Sequence, residues 1–88
     1  MTPLRVLLVD DEAPARSRLA RLLAPLVDDE QIDAVDEASD GVEALRQLEE
    51  AETPYDLAFL DVRMPELDGF EVLDRVSPER RPDVVFTT

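Results

Sequence analysis

Two short apolar runs in this chain each stop on acid: Leu7-Leu8-Val9 runs into Asp10-Asp11, and Leu57-Ala58-Phe59-Leu60 runs into Asp61. Runs this short and this uniformly apolar suit central strands of a parallel sheet, which helices cover on both faces. If the two are neighbouring strands pointing the same way, Asp10, Asp11 and Asp61 meet at the carboxyl edge of the sheet, where open α/β folds hold their ligands. Three carboxylates gathered there repel one another unless a cation joins them. An all-oxygen set with few protein ligands suits Mg²⁺.

The rest of the chain alternates strand and helix patterns. Leu4 to Val9 reads as the first strand. Leu19, Leu22, Leu23 and Leu26 then recur at helical spacing behind Pro14, which a first turn tolerates, so a helix is expected from about Ala13 to Leu26 with Pro25 in its last turn. Ile32 to Ala38 alternates apolar residues with Asp33, Asp36 and Glu37, the pattern of an edge strand whose charges discourage further pairing. Asp40 can cap the next helix with Glu43 reaching back, and Val42, Leu45 and Leu48 are its expected buried stripe.

Leu57 to Leu60 is the third strand, Asp61 to Asp68 a loop, Gly69 to about Val76 a short helix with Phe70, Val72 and Leu73, and Val84 to Thr87 a fourth strand. A βαβαβαβ order predicts a doubly wound parallel sheet with right-handed crossovers. Strand order 2-1-3-4 puts the first and third strands side by side, as the acid cluster requires.

Composition narrows the function classes. At 88 residues the chain is read as one domain with a modest core, burying about 60 to 65% of its unfolded surface. Its 22 acidic residues face nine basic ones, all Arg, for a net charge of −13, which disfavours contact with nucleic acid or an anionic membrane. Without cysteine there are no disulfides, no thiolate catalysis and no Cys-ligated metal. Met1-Thr2-Pro3-Leu4-Arg5 lacks the basic and long apolar regions of a signal peptide, and no run approaches a membrane span, so a cytoplasmic setting is expected.

Three segments carry a specific likeness: Val6-Leu7-Leu8-Val9-Asp10-Asp11-Glu12, Ala38-Ser39-Asp40-Gly41-Val42-Glu43-Ala44-Leu45, and Asp56 through Phe70 with its Met64-Pro65-Glu66-Leu67-Asp68-Gly69 loop. Together they resemble the receiver domain of two-component response regulators, a flavodoxin-like fold, across residues 1–88. The Glu12-Ala13-Pro14-Ala15-Arg16 start and the Val85-Phe86-Thr87-Thr88 ending look most like receivers of the LytTR (LytR/AlgR) group of transcription regulators.

The resemblance implies that Asp61 is the phosphoacceptor, taking a phosphoryl group from the phosphohistidine of a histidine kinase. It implies that Asp11 ligates Mg²⁺ directly, that Asp10 acts mostly through a metal-bound water, that Asp61 is also a ligand, and that the backbone carbonyl of Arg63 supplies a further oxygen. Thr88 resembles the hydroxyl residue that bonds the phosphoryl oxygen and couples it to a conformational shift. A receiver of this kind is not an enzyme beyond its own phosphorylation and dephosphorylation.

The family pattern continues with a fourth helix, a fifth strand ending in Lys and a fifth helix. This chain has no Lys, and its likeness ends in the fourth strand, so it is read as a partial receiver, βαβαβαβ, expected to self-associate through the uncovered face. Two other readings remain. One is a phosphate-independent receiver-like interaction module or an inactive fragment. The other is an Asp-nucleophile hydrolase of the haloacid-dehalogenase type, although that chemistry wants a second acid two residues after Asp61, where Arg63 stands. Arg16, Arg18 and Arg21 are assigned to the exposed face of the first helix, and Tyr55 to a partly buried loop.

Overall fold

The computed structural model describes residues 2–87. Strand β1 (Leu4–Val9) leads to helix α1 (Ala13–Asp28), then β2 (Ile32–Ala38), α2 (Gly41–Glu50), β3 (Leu57–Asp61), α3 (Gly69–Arg75), a 3₁₀ turn at Pro78–Arg80 and β4 (Asp83–Thr87). All strand pairs are parallel, in the order β2-β1-β3-β4. This is the doubly wound flavodoxin-like order expected from the sequence.

Register decides what lies at the carboxyl edge. Val6 to Val9 pair with Leu57 to Leu60, so Asp10 and Asp61 leave neighbouring strands at the same level. On the far side Asp61 pairs with Thr87.

The pleat divides the core into two layers. Leu7, Val9, Ala58 and Leu60 face Ala44, Leu48, Met64, Leu67, Val72 and Val76 of the α2–α3 side. Val6, Leu8 and Ile32 face the other way, against Leu19, Ala20 and Leu23 of α1. Val6 through Val9 are buried essentially completely, each such aliphatic side chain contributing about 2 kcal/mol of transfer free energy. By contrast, α1 has no fully buried residue, and Leu22, Leu26 and Val27 stay exposed along it.

Several local expectations need correction. Helix α1 continues past Pro25 to Asp28: proline forfeits one late N–H bond, while amides of Asp29, Glu30 and Gln31 fold back onto the carbonyls of Pro25, Val27 and Leu26. Val42 is exposed, because Gly41, Ala44 and Leu48 are the α2 residues that face the core. A Cβ on Gly41 would overlap the Leu67 carbonyl, so a residue without one lets α2 lie directly against the β3–α3 loop.

Asp40 caps α2 by accepting the Glu43 amide at 2.7 Å, but the Glu43 carboxylate takes the Ser39 hydroxyl rather than returning to the cap. Tyr55 is buried, its hydroxyl donating to Asp36 at 2.6 Å and its ring facing the Arg5 guanidinium at 5.4 Å.

Candidate functional site

Each acid of the cluster is held by backbone that the strands deliver. Asp61 is the last residue of β3 and only 6% exposed; Asp10, one residue past β1, is 7% exposed. Asp11 is exposed in the turn before α1. One carboxylate oxygen from each of Asp10, Asp11 and Asp61 lies within 4.8 Å of the others. The structure therefore brings together all three carboxylates expected from the sequence.

The turn amides hold each buried carboxylate. Asp10 Oδ1 accepts the Glu12 N–H at 2.9 Å, and Asp61 Oδ1 accepts the Arg63 N–H at 3.0 Å. Each bond orients its carboxylate through one oxygen. Burial is the main cause raising the Asp61 carboxyl above the ordinary aspartate value; the charges of Asp10 and Asp11 and a hydrogen bond with Asp11 add to it, and the Arg63 amide opposes it. A divalent cation held there would relieve that repulsion. The all-oxygen donors fit Mg²⁺, which takes one or two carboxylates and otherwise keeps water or phosphate oxygens.

The loop after Asp61 is fixed by close backbone packing. The Gly69 amide donates to the Val62 carbonyl at 3.1 Å, and a Cβ on Gly69 would lie 2.5 Å from the Asp61 carbonyl oxygen. Asp68 and Glu71 close a reciprocal capping box, Glu71 N–H to Asp68 at 2.9 Å and Asp68 N–H to Glu71 at 3.1 Å. Met64 and Leu67 turn inward, while Arg63 is exposed.

Thr88 lies outside the described residues. Thr87 sits opposite Asp61 with its hydroxyl oxygen buried and without a hydrogen-bond partner among the described residues. Tyr55 takes no part in the acid cluster; burial, together with Asp36, pushes its hydroxyl up to about 12, so it stays neutral. The sequence reading put Arg16 on the exposed face of the first helix, and the structure corrects it. Its side chain is only 16% exposed and bridges the carbonyl of Asp10 and the carboxylate of Glu37. The i+6 spacing from Asp10 was visible, but arginine on a polar helix face reads as surface.

The sequence model of the response regulator receiver domain matches residues 6–88. An uncharacterized response regulatory protein of Vibrio cholerae is 41% identical over 85 residues, covering 97% of this chain and 34% of the relative. The transcriptional regulatory protein BtsR of Salmonella typhi is 40% identical over 85 residues, with the same shares of the two chains. The chain thus spans about a third of the length of these curated relatives. Among solved structures, response regulator TrrA of Thermotoga maritima in complex with Mg²⁺-BeF is 31% identical with a TM-score of 0.69, over 94% of this chain and 65% of that one.

Proposed function

The chain belongs to the response regulator receiver family, and on that premise we propose that it is a phosphoacceptor module of a two-component system, with Asp61 as the acceptor. The observation that carries this reading is the convergence of Asp10, Asp11 and Asp61 within 4.8 Å at the edge of a parallel sheet, with the buried Asp61 oriented by the Arg63 amide.

In the proposed reaction an Asp61 carboxylate oxygen attacks the phosphorus of a histidine kinase's phosphohistidine. A P–O bond forms to the carboxylate as the P–N bond breaks, the imidazole nitrogen leaves, and Asp61 becomes an acyl phosphate. Asp10, Asp11, Asp61 and the Arg63 carbonyl would hold Mg²⁺, which supplies charge neutralisation as phosphate approaches three acids. The Arg63 amide fixes the carboxylate plane, so the attacking oxygen is presented rather than swinging in solvent. Burial keeps water away from the acyl phosphate that results. Thr88 is the proposed hydroxyl that bonds the phosphoryl oxygen afterwards.

The chain would supply the β1–β4 part of a receiver, working in the cytoplasm on an acceptor rather than an enzymatic role. No described helix is long and apolar enough to cross a membrane. Its likeness to BtsR and to LytTR-type receivers supports an output in transcription regulation, with DNA contact made outside this acidic chain.

Incubation with acetyl phosphate and Mg²⁺ tests the assignment. Intact mass and peptide mapping are expected to find one phosphoryl group, on Asp61, labile to hydroxylamine, and none on Asp61→Asn. Equal labelling of the two proteins removes Asp61 from its role.

A further inference from the structure

Arg16 stands where helix energetics do not favour it. It lies near the positive end of α1, a helix whose first turn carries no acid and whose cap makes no side-chain bond. Yet it is the most tightly held arginine on that helix: Nη1 donates to the Asp10 carbonyl at 2.7 Å and Nε to Glu37 at 2.8 Å. Arg18 and Arg21, on the same helix, are exposed. A tertiary role is the remaining reason for the position.

The carbonyl that Arg16 holds belongs to the peptide plane joining Asp10 to Asp11. A peptide is rigid, so fixing its oxygen fixes the direction in which the chain leaves toward Asp11. The other anchors of Asp10 are its N–H on Ala38 of β2 and its Oδ1 on the Glu12 amide. Asp11 follows that peptide directly and is exposed in the turn. Glu37, near the carboxyl end of β2, gives the guanidinium a second fixed point, so Arg16 ties together the ends of β1, β2 and α1.

We propose that Arg16 is a positioning residue of the acid cluster: its two-point clamp on the Asp10 carbonyl and Glu37 keeps the Asp10 and Asp11 carboxylates aimed at Asp61, so cation affinity depends on it. This deepens, and rests on, the reading of the cluster as a Mg²⁺ site.

The sign of the effect separates positioning from simple charge. Removing a positive charge near three acids strengthens cation binding if Arg16 acts only through its field. Loss of the clamp weakens it, because partners that orient ligands are typically worth about 10- to 100-fold in metal affinity. Mg²⁺ titrations of the whole chain, followed by amide shifts, are made on the wild type, Arg16→Ala, Arg16→Lys and Arg18→Ala.

Arg16→Ala is expected to weaken Mg²⁺ binding about tenfold and, before any Mg²⁺ is added, to move the Asp11 and Glu12 amides. Arg16→Lys, which can reach one acceptor but not span both, is expected about midway; Arg18→Ala is expected to match the wild type or bind slightly tighter. Unchanged or tighter binding in Arg16→Ala overturns the proposal. Should that variant fail to fold, Arg16→Lys decides, and wild-type affinity there overturns it equally. A wild type with no Mg²⁺ shifts at residues 10–12 and 60–64 removes the metal reading and this inference with it, whereas wild-type binding unaffected by the Arg16 variants removes this inference alone.

Discussion

Asp61 sets a conflict between stability and function at a single carboxyl. Its folded value lies above the ordinary one of about 4, so the stability linked to its proton is fully present below that value and is lost as pH rises through the folded one. Asn in its place cannot ionise. The expected result is that Asp61→Asn melts higher than wild type at pH 7 without Mg²⁺, the gap opening as pH rises above about 4 and closing when Mg²⁺ is added. Thermal melts across that range check it, and a gap that is flat or narrows with pH contradicts it. Gly69 is equally committed: a methyl group 2.5 Å from the Asp61 carbonyl meets backbone, which cannot step aside. Gly69→Ala is expected to cost about 2 kcal/mol in denaturant unfolding and to move the Asp61 amide resonance.

The elements show which signals a sequence carries in plain view. Uniform runs such as Leu7-Leu8-Val9 and Leu57 to Leu60 mark central strands because both faces are covered, and acids ending those runs mark the ligand edge. Asp68 and Glu71 form a complete capping box, and Asp68→Ala is expected to lower stability by about 1 kcal/mol, read from the shift of the urea midpoint at constant slope. What stayed hidden depends on contacts between elements. Gly41 and Ala44 rank low in hydrophobicity yet face the core, so a stripe read from large residues put Val42 inside. Pro25 reads as part of a last turn ending near Leu26, yet α1 runs on to Asp28, where three following amides turn back onto its carbonyls. Tyr55 and Arg16 are polar residues whose burial follows from partners far along the chain, Asp36 and Glu37, which no local window contains.

At the scale of the molecule, the two sides of the sheet are unevenly covered. Strand β4 is an edge, with Val85 and Phe86 about half exposed, and Phe86 meets the exposed Phe70 ring at 4.8 Å. Together with Leu22 and Val27 on α1, this leaves apolar surface and an open row of strand amides in the 88-residue chain. Such edges pair. The 88-residue chain is expected to self-associate, its melting temperature rising with protein concentration across about a hundredfold range; a monomer by sedimentation whose melt does not move contradicts this. If the three converged acids let Asp61 take a phosphoryl group with Mg²⁺, fluorine NMR with beryllofluoride, an acyl-phosphate mimic, will show it. A bound fluorine signal is expected that requires Mg²⁺, moves the amides of residues 10–12 and 60–64, and is absent in Asp61→Asn. A bound signal that persists without Mg²⁺ or in that variant, or none in the wild type, contradicts it.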